Sequence, residues 1–152
     1  MIQVRVTGAE DFARLARRLR RAGGRELVDE LRQELREAAE PAVLAARREV
    51  RALPARGPRT TRLRARTAAA VRLQASGRTG VRIQVPRTPS LGMMPRHLNR
   101  GRWRKPLWGD RAHWFTQTTR PGWFDRPMRD ARPEFVDGAR AAMDRVARRI
   151  TD

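Results

Sequence analysis

The 152-residue sequence contains no cysteine, no tyrosine and only two histidines. Without cysteine, the chain can form neither disulfide bonds nor thiolate metal sites. The histidines, His97 and His113, would need carboxylate partners to bind zinc, and the sequence shows no such cluster. We therefore expect no metal, no cofactor and no thiol chemistry in this protein.

Long apolar runs are also missing. No run of about 18 apolar residues exists, so the sequence predicts no membrane span. The first residues, MIQVRVTGAED, lack the basic start and apolar run of a secretory signal. We expect a chain that is made and used in a cytoplasm, or in a particle assembled there, without a membrane partner.

Acidic residues are absent between Arg51 and Gly109, although the whole chain has 16 of them. The net charge is +19, and the 15 basic residues of this acid-free tract leave only +4 for the remainder, since 19 − 15 = 4. A field of one sign over such a length implies a negatively charged partner, either nucleic acid or an acidic protein face. The basic residues are Arg51, Arg56, Arg59, Arg62, Arg64, Arg66, Arg72, Arg78, Arg82, Arg87, Arg96, Arg100, Arg102, Arg104 and Lys105.

The N-terminal third predicts one strand and two helices. Ile2, Val4 and Val6 alternate with polar residues, as in a strand with one buried face. A first helix would bury Phe12, Leu15, Ala16 and Leu19 and end at the two glycines 23–24. A long second helix follows at about 25–53, and Pro41 should kink it or split it in two. This helix carries seven of the acids: Glu26, Asp29, Glu30, Glu34, Glu37, Glu40 and Glu49.

The rest of the chain alternates loops with short elements. We predict a projecting basic loop at about 54–66, a β-hairpin from strands at 71–74 and 81–85, and an irregular loop at about 86–111. A third strand at 112–118 would lie beside the hairpin, and Asp125 would cap a final helix. The length favours a single domain at 1–152. The predicted fold is α+β: a small, mostly antiparallel sheet of three to four strands, packed by a long N-terminal helix pair and a C-terminal helix.

The segment 101–127 is the most distinctive part of the sequence. It holds all four tryptophans (Trp103, Trp108, Trp114 and Trp123), and aromatic side chains dominate cores and interfaces. We expect Trp114 and Trp123 to be core residues, and Trp103 and Trp108 to be partly exposed at an interface. The segment contains, in order, WRKPLWGDR, Trp114, Gln117 and RPGWFD. With this pattern it resembles the tail-completion proteins of long-tailed bacteriophages, which belong to the head-tail joining, or neck, group.

The resemblance extends to the order of predicted elements and covers nearly the whole chain. It implies a structural virion protein that forms a ring, commonly of six copies, and joins the tail to the DNA-filled head. Its partners would be further copies of the chain, the adjoining head-completion or connector proteins and the tail-tube proteins, with DNA in the channel. By the same resemblance the protein would be located in the phage neck or tail, and in the host cytoplasm during assembly.

The opposite charges of the acidic helix and the acid-free tract suggest how such a ring is held together. In a head-to-tail ring one surface meets a different surface of the next copy. We predict that the basic loop or hairpin contacts the acidic helix of a neighbour or an acidic adjoining ring, and that 91–94 and 103–108 contact the tail tube or connector. The candidate interface residues are Arg56, Arg59, Arg62, Arg64, Leu91, Met93, Met94, Trp103, Trp108, Glu30, Glu34 and Glu37.

Two other functions compete with this one. A basic accessory protein that binds DNA nonspecifically would use the same arginines, with Trp103 and Trp108 interleaved for stacking on a single strand. An enzyme would need a nucleophile or an acid-base pair in a pocket. His113 near Asp110 can be interpreted as such a pair, but a histidine in a strand more often forms an ordinary hydrogen bond. We predict no catalytic residues.

Overall fold

The computed structural model describes residues 2–4, 14, 17, 21, 25–54, 62–76 and 80–151. Over these residues the fold is α+β, as predicted. The apolar positions of the predicted first helix, Phe12, Leu15, Ala16 and Leu19, lie outside them, as do Val6 and most of the basic loop. The helices are α1 (Arg25–Ala52), α2 (Leu63–Ala70), α3 (Met94–Arg100), α4 (Asp125–Asp130) and α5 (Arg132–Thr151). The strands are β1 (Ile2–Val4), β2 (Arg72–Ser76), β3 (Gly80–Val85), β4 (Arg102–Leu107) and β5 (Asp110–Thr118).

The first three strands form an antiparallel sheet in the order β1–β3–β2. The predicted hairpin is confirmed, with Leu73 opposite Ile83 in its register. The N-terminal strand pairs with the other edge of β3, with Ile2 opposite Val85. The sheet therefore joins the start of the chain to its middle.

Helix α1 is continuous through Pro41, so the predicted split is wrong. A proline removes one hydrogen bond from a helix interior. Pro41 is exposed, whereas Ala39, Ala42 and Val43 on the inner face are buried. Because tertiary packing of an amphipathic face supplies most of a helix's stability, the buried stripe on both sides of Pro41 keeps the helix whole.

Two apolar clusters meet along α1. The C-terminal half packs against Trp123, Phe124 and Val85, and the N-terminal half packs against Ala142 and Val146 of α5. Small residues of α1 allow α5 of the same chain to approach it closely. A Cβ added at Gly138 would lie only 3.0 Å from the Cβ of Ala38.

Strand β5 does not join the first sheet, so the predicted third strand beside the hairpin is wrong. It pairs with β4 in a separate two-stranded sheet. The two-residue turn between these strands has positive φ at both positions, 52° at Trp108 and 91° at Gly109. That geometry matches the right-handed twist of a tight hairpin. The strands therefore pair with each other, through the turn that joins them.

The region 86–111 is not irregular as predicted, because it contains α3 and β4. Pro95 lies in the first turn of α3, where its missing N–H costs nothing and its fixed φ favours a helix. Gly101, with φ of 77°, ends the helix. Strand β4 escaped prediction because RWRKPL lacks a simple apolar alternation and contains Pro106.

Candidate functional site: a basic groove and an exposed arm

An open groove of about 1110 Å³ lies where α1 and α2 meet α3 and the β4–β5 sheet. Leu53, Leu63, Leu98 and Trp103 contribute to its apolar lining, and all four belong to the larger core cluster or pack against it. The groove is larger than most small-molecule pockets, which measure about 300–1,000 Å³. Its size suits a polymer or a protein segment.

Six cationic residues line the groove and no acidic residue does. Within the described part of the chain, none of the six forms an ion pair with a carboxylate. Two of them are held by backbone carbonyls instead: Arg64 donates to Leu53 O, and Arg66 Nη2 donates to Ser90 O at 2.6 Å. Such bonds fix the side chains but leave their charge uncompensated. The six are Arg51, Arg62, Arg64, Arg66, Arg104 and Lys105.

The side chains of β4 alternate between the two faces of the strand. Trp103 and Lys105 lie on one face of the strand, opposite Gln117 and Phe115 of β5. Lys105 Nζ lies 5.1 Å from the centre of the Phe115 ring. Arg104 belongs to the other face, where its guanidinium lies 5.9 Å from the centre of the Trp114 ring. Both cations of β4 line the groove, and Lys105 is the one that shares a strand face with Trp103.

Trp103 joins the groove to the core. It is half-buried against the larger cluster and stacks on His97 of α3, with ring centres 6.4 Å apart and planes inclined by 25°. The predicted partial exposure of Trp103 is confirmed. It presents an aromatic surface among the cations, which is the setting that base stacking requires.

Strands β4 and β5 with their turn, residues 102–118, form what we call the arm. Trp108 at its tip is 95 % exposed, as the interface prediction requires. Trp114 is 48 % exposed, so its predicted core position is wrong, whereas Trp123 is fully buried as predicted. The difference follows from the elements: Trp114 lies on a strand of the arm, while Trp123 precedes α4 inside the core. Leu107 adds a further exposed apolar side chain beside the tip.

Asp110 and His113 do come together, at 2.7 Å between Oδ2 and Nδ1. An ionised carboxylate can only accept, so the imidazole donates this bond. The bond, followed by a second from the Ala112 N–H, lowers the pKa of Asp110 from its ordinary value of 3.8. Both side chains are mostly exposed on the arm. The geometry is that of a contact that orders the start of β5, and it offers no enclosed site for a substrate.

The acidic candidates on α1 are engaged within the chain. Glu30 pairs with Arg149 and Glu34 pairs with Arg145, both on α5. The hydrogen bond with Glu34 raises the pKa of Arg145 above its ordinary value. Glu37 accepts a hydrogen bond from Gln33 Nε2 at 2.8 Å. Part of the negative face of α1 is therefore matched by α5 of the same molecule.

The remaining candidates are dispersed. Arg56 and Arg59 lie outside the described residues. Leu91 is buried at 4 % exposure, so its side chain does not offer the contact surface that was predicted. Met93 and Met94 are half-buried, and only Met94 lines the groove.

The sequence showed the basic tract, but it did not show which of its cations come together in the groove. Arg51, Arg66 and Lys105 are separated by up to 54 positions, since 105 − 51 = 54, and they meet only through the packing of α2 against α1 and the placement of β4. The signal that could have singled out Lys105 is its two-residue spacing from Trp103 in a strand. That signal was hidden because the strand itself was not predicted.

Comparison with known proteins places the chain in no family. No protein-family model matches it, and neither a curated protein sequence nor a solved structure shows significant similarity. Among the described residues there is no group of three or more potential metal ligands. No helix in the same part of the chain is long and apolar enough to span a membrane.

Proposed function

We propose that this chain is a structural subunit of the head-tail junction of a long-tailed phage. It would act as a tail-completion protein that forms a ring and joins the tail to the DNA-filled head. The proposal starts from the resemblance in 101–127, and the observation that supports it best is the exposed arm that this segment builds.

The arm has the properties of an assembly element. A two-stranded hairpin alone is marginally stable in water, and a long unpaired strand edge invites pairing with another chain. β5 is nine residues long and largely exposed. Leu107, Trp108 and Trp114 place apolar and aromatic surface on this arm, and aromatic anchors are typical of binding hot spots. A partner that covers the arm would bury this surface.

The charge pattern bears on which surfaces would meet in such a ring. Because Glu30 and Glu34 are already paired with arginines of α5, the acidic helix is a weaker counter-surface for a neighbour's basic loop than its sequence suggests. We therefore favour an arm-mediated contact between copies, with an acidic adjoining ring as the partner of the basic surfaces. Neither contact requires catalysis or a cofactor.

The test compares two variants that each remove one exposed apolar side chain. Trp108→Ala changes the tip of the arm, and the matched control Leu44→Ala changes a 53 % exposed residue of α1. Light scattering after size exclusion, with and without nuclease, gives the oligomer mass. A second assay measures whether the purified protein restores infectivity to tails assembled without it.

We expect the wild type and Leu44→Ala to form a discrete ring, alone or on the tail, and to restore infectivity. Trp108→Ala should remain folded by circular dichroism but lose both properties. Failure of the wild-type protein to associate with tails or to restore infectivity contradicts the neck function. Equal behaviour of the two variants contradicts the role of the arm.

The alternative is a basic accessory protein that binds DNA nonspecifically as a monomer or dimer. The observation that favours it is the groove, where six cations have no carboxylate partner within the described residues. It predicts tight duplex binding with a steep dependence on salt and no defined ring. Nuclease treatment during size exclusion separates it from the neck function, because its apparent mass would fall when the DNA is removed.

A further inference from the structure

The groove encloses an aromatic side chain among cations that have no carboxylate partner within the described residues. Arg51, Arg62 and Lys105 come from three elements, α1, the start of α2 and β4, and they surround one open space. Trp103 borders the same space and retains part of its surface there. Cations that track a backbone, together with aromatic faces for bases, are the two components of single-strand recognition.

We propose that this groove is a binding site for single-stranded nucleic acid. Arg51, Arg62, Arg66 and Lys105 contact successive phosphates, and Trp103 provides the stacking surface for a base. Sequence is not read, because stacking and phosphate contacts tolerate every base. The site rests on the groove alone and does not depend on the role of the arm in a phage neck.

Two observations favour nucleic acid over an acidic protein segment. The lining combines cations with the flat surfaces of Trp103 and Phe115, and bases have a matching π-face whereas carboxylate side chains do not. A second copy of this chain is a weaker counter-surface, since Glu30, Glu34 and Glu49 are paired with Arg149, Arg145 and Arg126 of their own chain. We take nucleic acid as the source of the compensating charge.

The arm's other tryptophans do not belong to this site. Trp108 is at the tip and Trp114 lies on the opposite face of the arm, beneath Arg104. From the sequence we predict both Trp103 and Trp108 as stacking residues, but of the two only Trp103 lines the groove. Variants of Trp103 and Trp108 therefore separate the nucleic-acid site from the proposed assembly surface.

The experiment measures fluorescence anisotropy of a labelled thymidine oligonucleotide of about 12 nucleotides, within the range that single-strand sites cover. A uridine oligonucleotide, a duplex of the same length and poly-glutamate serve as competing ligands. The test variant is Arg51→Glu with Lys105→Glu. Its control, Arg111→Glu with Arg129→Glu, makes the same change in net charge at exposed positions that do not line the groove.

We expect the groove variant to lose at least about tenfold in affinity, with the slope of log affinity against log salt reduced by about 1.4 for two lost phosphate contacts. The control should lose less than about threefold. Trp103→Leu should weaken binding by about fivefold or more with an unchanged salt slope, whereas Trp108→Ala should bind normally. Circular dichroism checks folding, and Arg62→Glu with Arg66→Glu provides a second groove variant should the first fail to fold.

Three results would overturn the proposal. Equal losses in the groove and control variants would show that binding follows overall charge. The second result is that poly-glutamate or duplex DNA competes as strongly as the single strand and that Trp103→Leu has no effect. It would assign the groove to an acidic protein or to duplex DNA. No measurable binding by the wild-type protein at about 0.1 M salt would also reject the site. None of these results bears on the infectivity assay for the neck function.

Discussion

Asn99 and Asp125 are hydrogen-bonded at 2.7 Å, across 26 positions of sequence, with the amide Nδ2 of Asn99 donating to the carboxylate. The Oδ1 of the same side chain accepts from the Phe124 N–H at 2.9 Å, and the backbone carbonyl of Asn99 accepts from the Gly122 N–H at 2.7 Å. Helix α4 has no side-chain cap from its own N-cap residue. Asn99 on α3 therefore supplies that cap from another helix.

We predict that Asn99→Ala lowers the free energy of unfolding by about 1–3 kcal/mol, because it leaves the part-buried Phe124 N–H without its acceptor. Urea denaturation followed by circular dichroism measures this. The control is Gln33→Ala, which removes an exposed side-chain hydrogen bond on α1 and should change stability by less than about 0.5 kcal/mol. A loss no greater than that of the control would show that Asn99 does not act as the cap.

Gly101 is required by both its backbone angle and its surroundings. Its φ is 77°, and a Cβ there would lie 2.8 Å from Pro121 Cβ and 2.8 Å from the Thr119 carbonyl oxygen. Gly109 has a similar φ of 91° with nothing within 4 Å of the same position. The two glycines therefore separate the effect of backbone strain from that of a steric clash.

We predict that Gly109→Ala costs about 1–2 kcal/mol of unfolding free energy at most, the cost of a left-handed conformation for an L-residue. Gly101→Ala should cost distinctly more, because Pro121 and the backbone of Thr119 must also move. Thermal and urea denaturation of both variants provide the comparison. Equal losses would contradict the close approach between α3 and the segment before α4.

Trp123 is the largest fully buried side chain of the described residues, and its Nε1 donates to the Pro95 carbonyl at 3.2 Å. We predict that Trp123→Ala lowers the free energy of unfolding by about 3–5 kcal/mol through a large cavity. The matched variant Trp114→Ala removes the same side chain from an exposed strand and should cost less than about 1 kcal/mol. Chemical denaturation distinguishes them, and similar losses would contradict the assignment of Trp114 to the exposed arm.

The strands and helices with a clear apolar period were predictable from sequence. Leu73 and Ile83 each alternate with polar neighbours, which is typical of a hairpin, and Leu31, Leu35 and Val50 have helical spacing, which is typical of the long helix. Pro41 misled the prediction because the cost of a proline in a helix is known from the sequence, whereas the stability gained by packing the apolar face is not. Predictions from local propensity fail where tertiary packing decides whether a helix continues.

Strand β5 was predicted at 112–118, but β4 and its pairing with β5 were missed for a different reason. The turn between them uses Trp108–Gly109 instead of the Asn-Gly or Asp-Gly pair that identifies a two-residue hairpin, and β4 is mostly basic. The groove depends on that arm, so its grouping of Arg51, Arg66 and Lys105 was equally hidden. The absence of acids between Arg51 and Gly109 was visible, and the six cations that line the groove all belong to this tract.

The pair Asp110–His113 gives a prediction for low pH. The hydrogen bond from His113 holds the folded-state pKa of Asp110 below its ordinary value of 3.8. The folded state therefore favours the ionised carboxylate. Its contribution to stability is present in full above the unfolded value and is lost as the pH falls through the lower, folded value.

Carbon-detected NMR titration of the Asp110 carboxyl should give a pKa below 3.8 in the wild-type protein. In His113→Ala it should rise toward 3.8, although the weaker bond from the Ala112 N–H should keep it from returning completely. The exposed setting of the pair predicts only a local change, with the chemical shifts of the arm affected and those of α1 unaffected. An unchanged titration in His113→Ala would show that the turn backbone, and not the imidazole, stabilises this carboxylate.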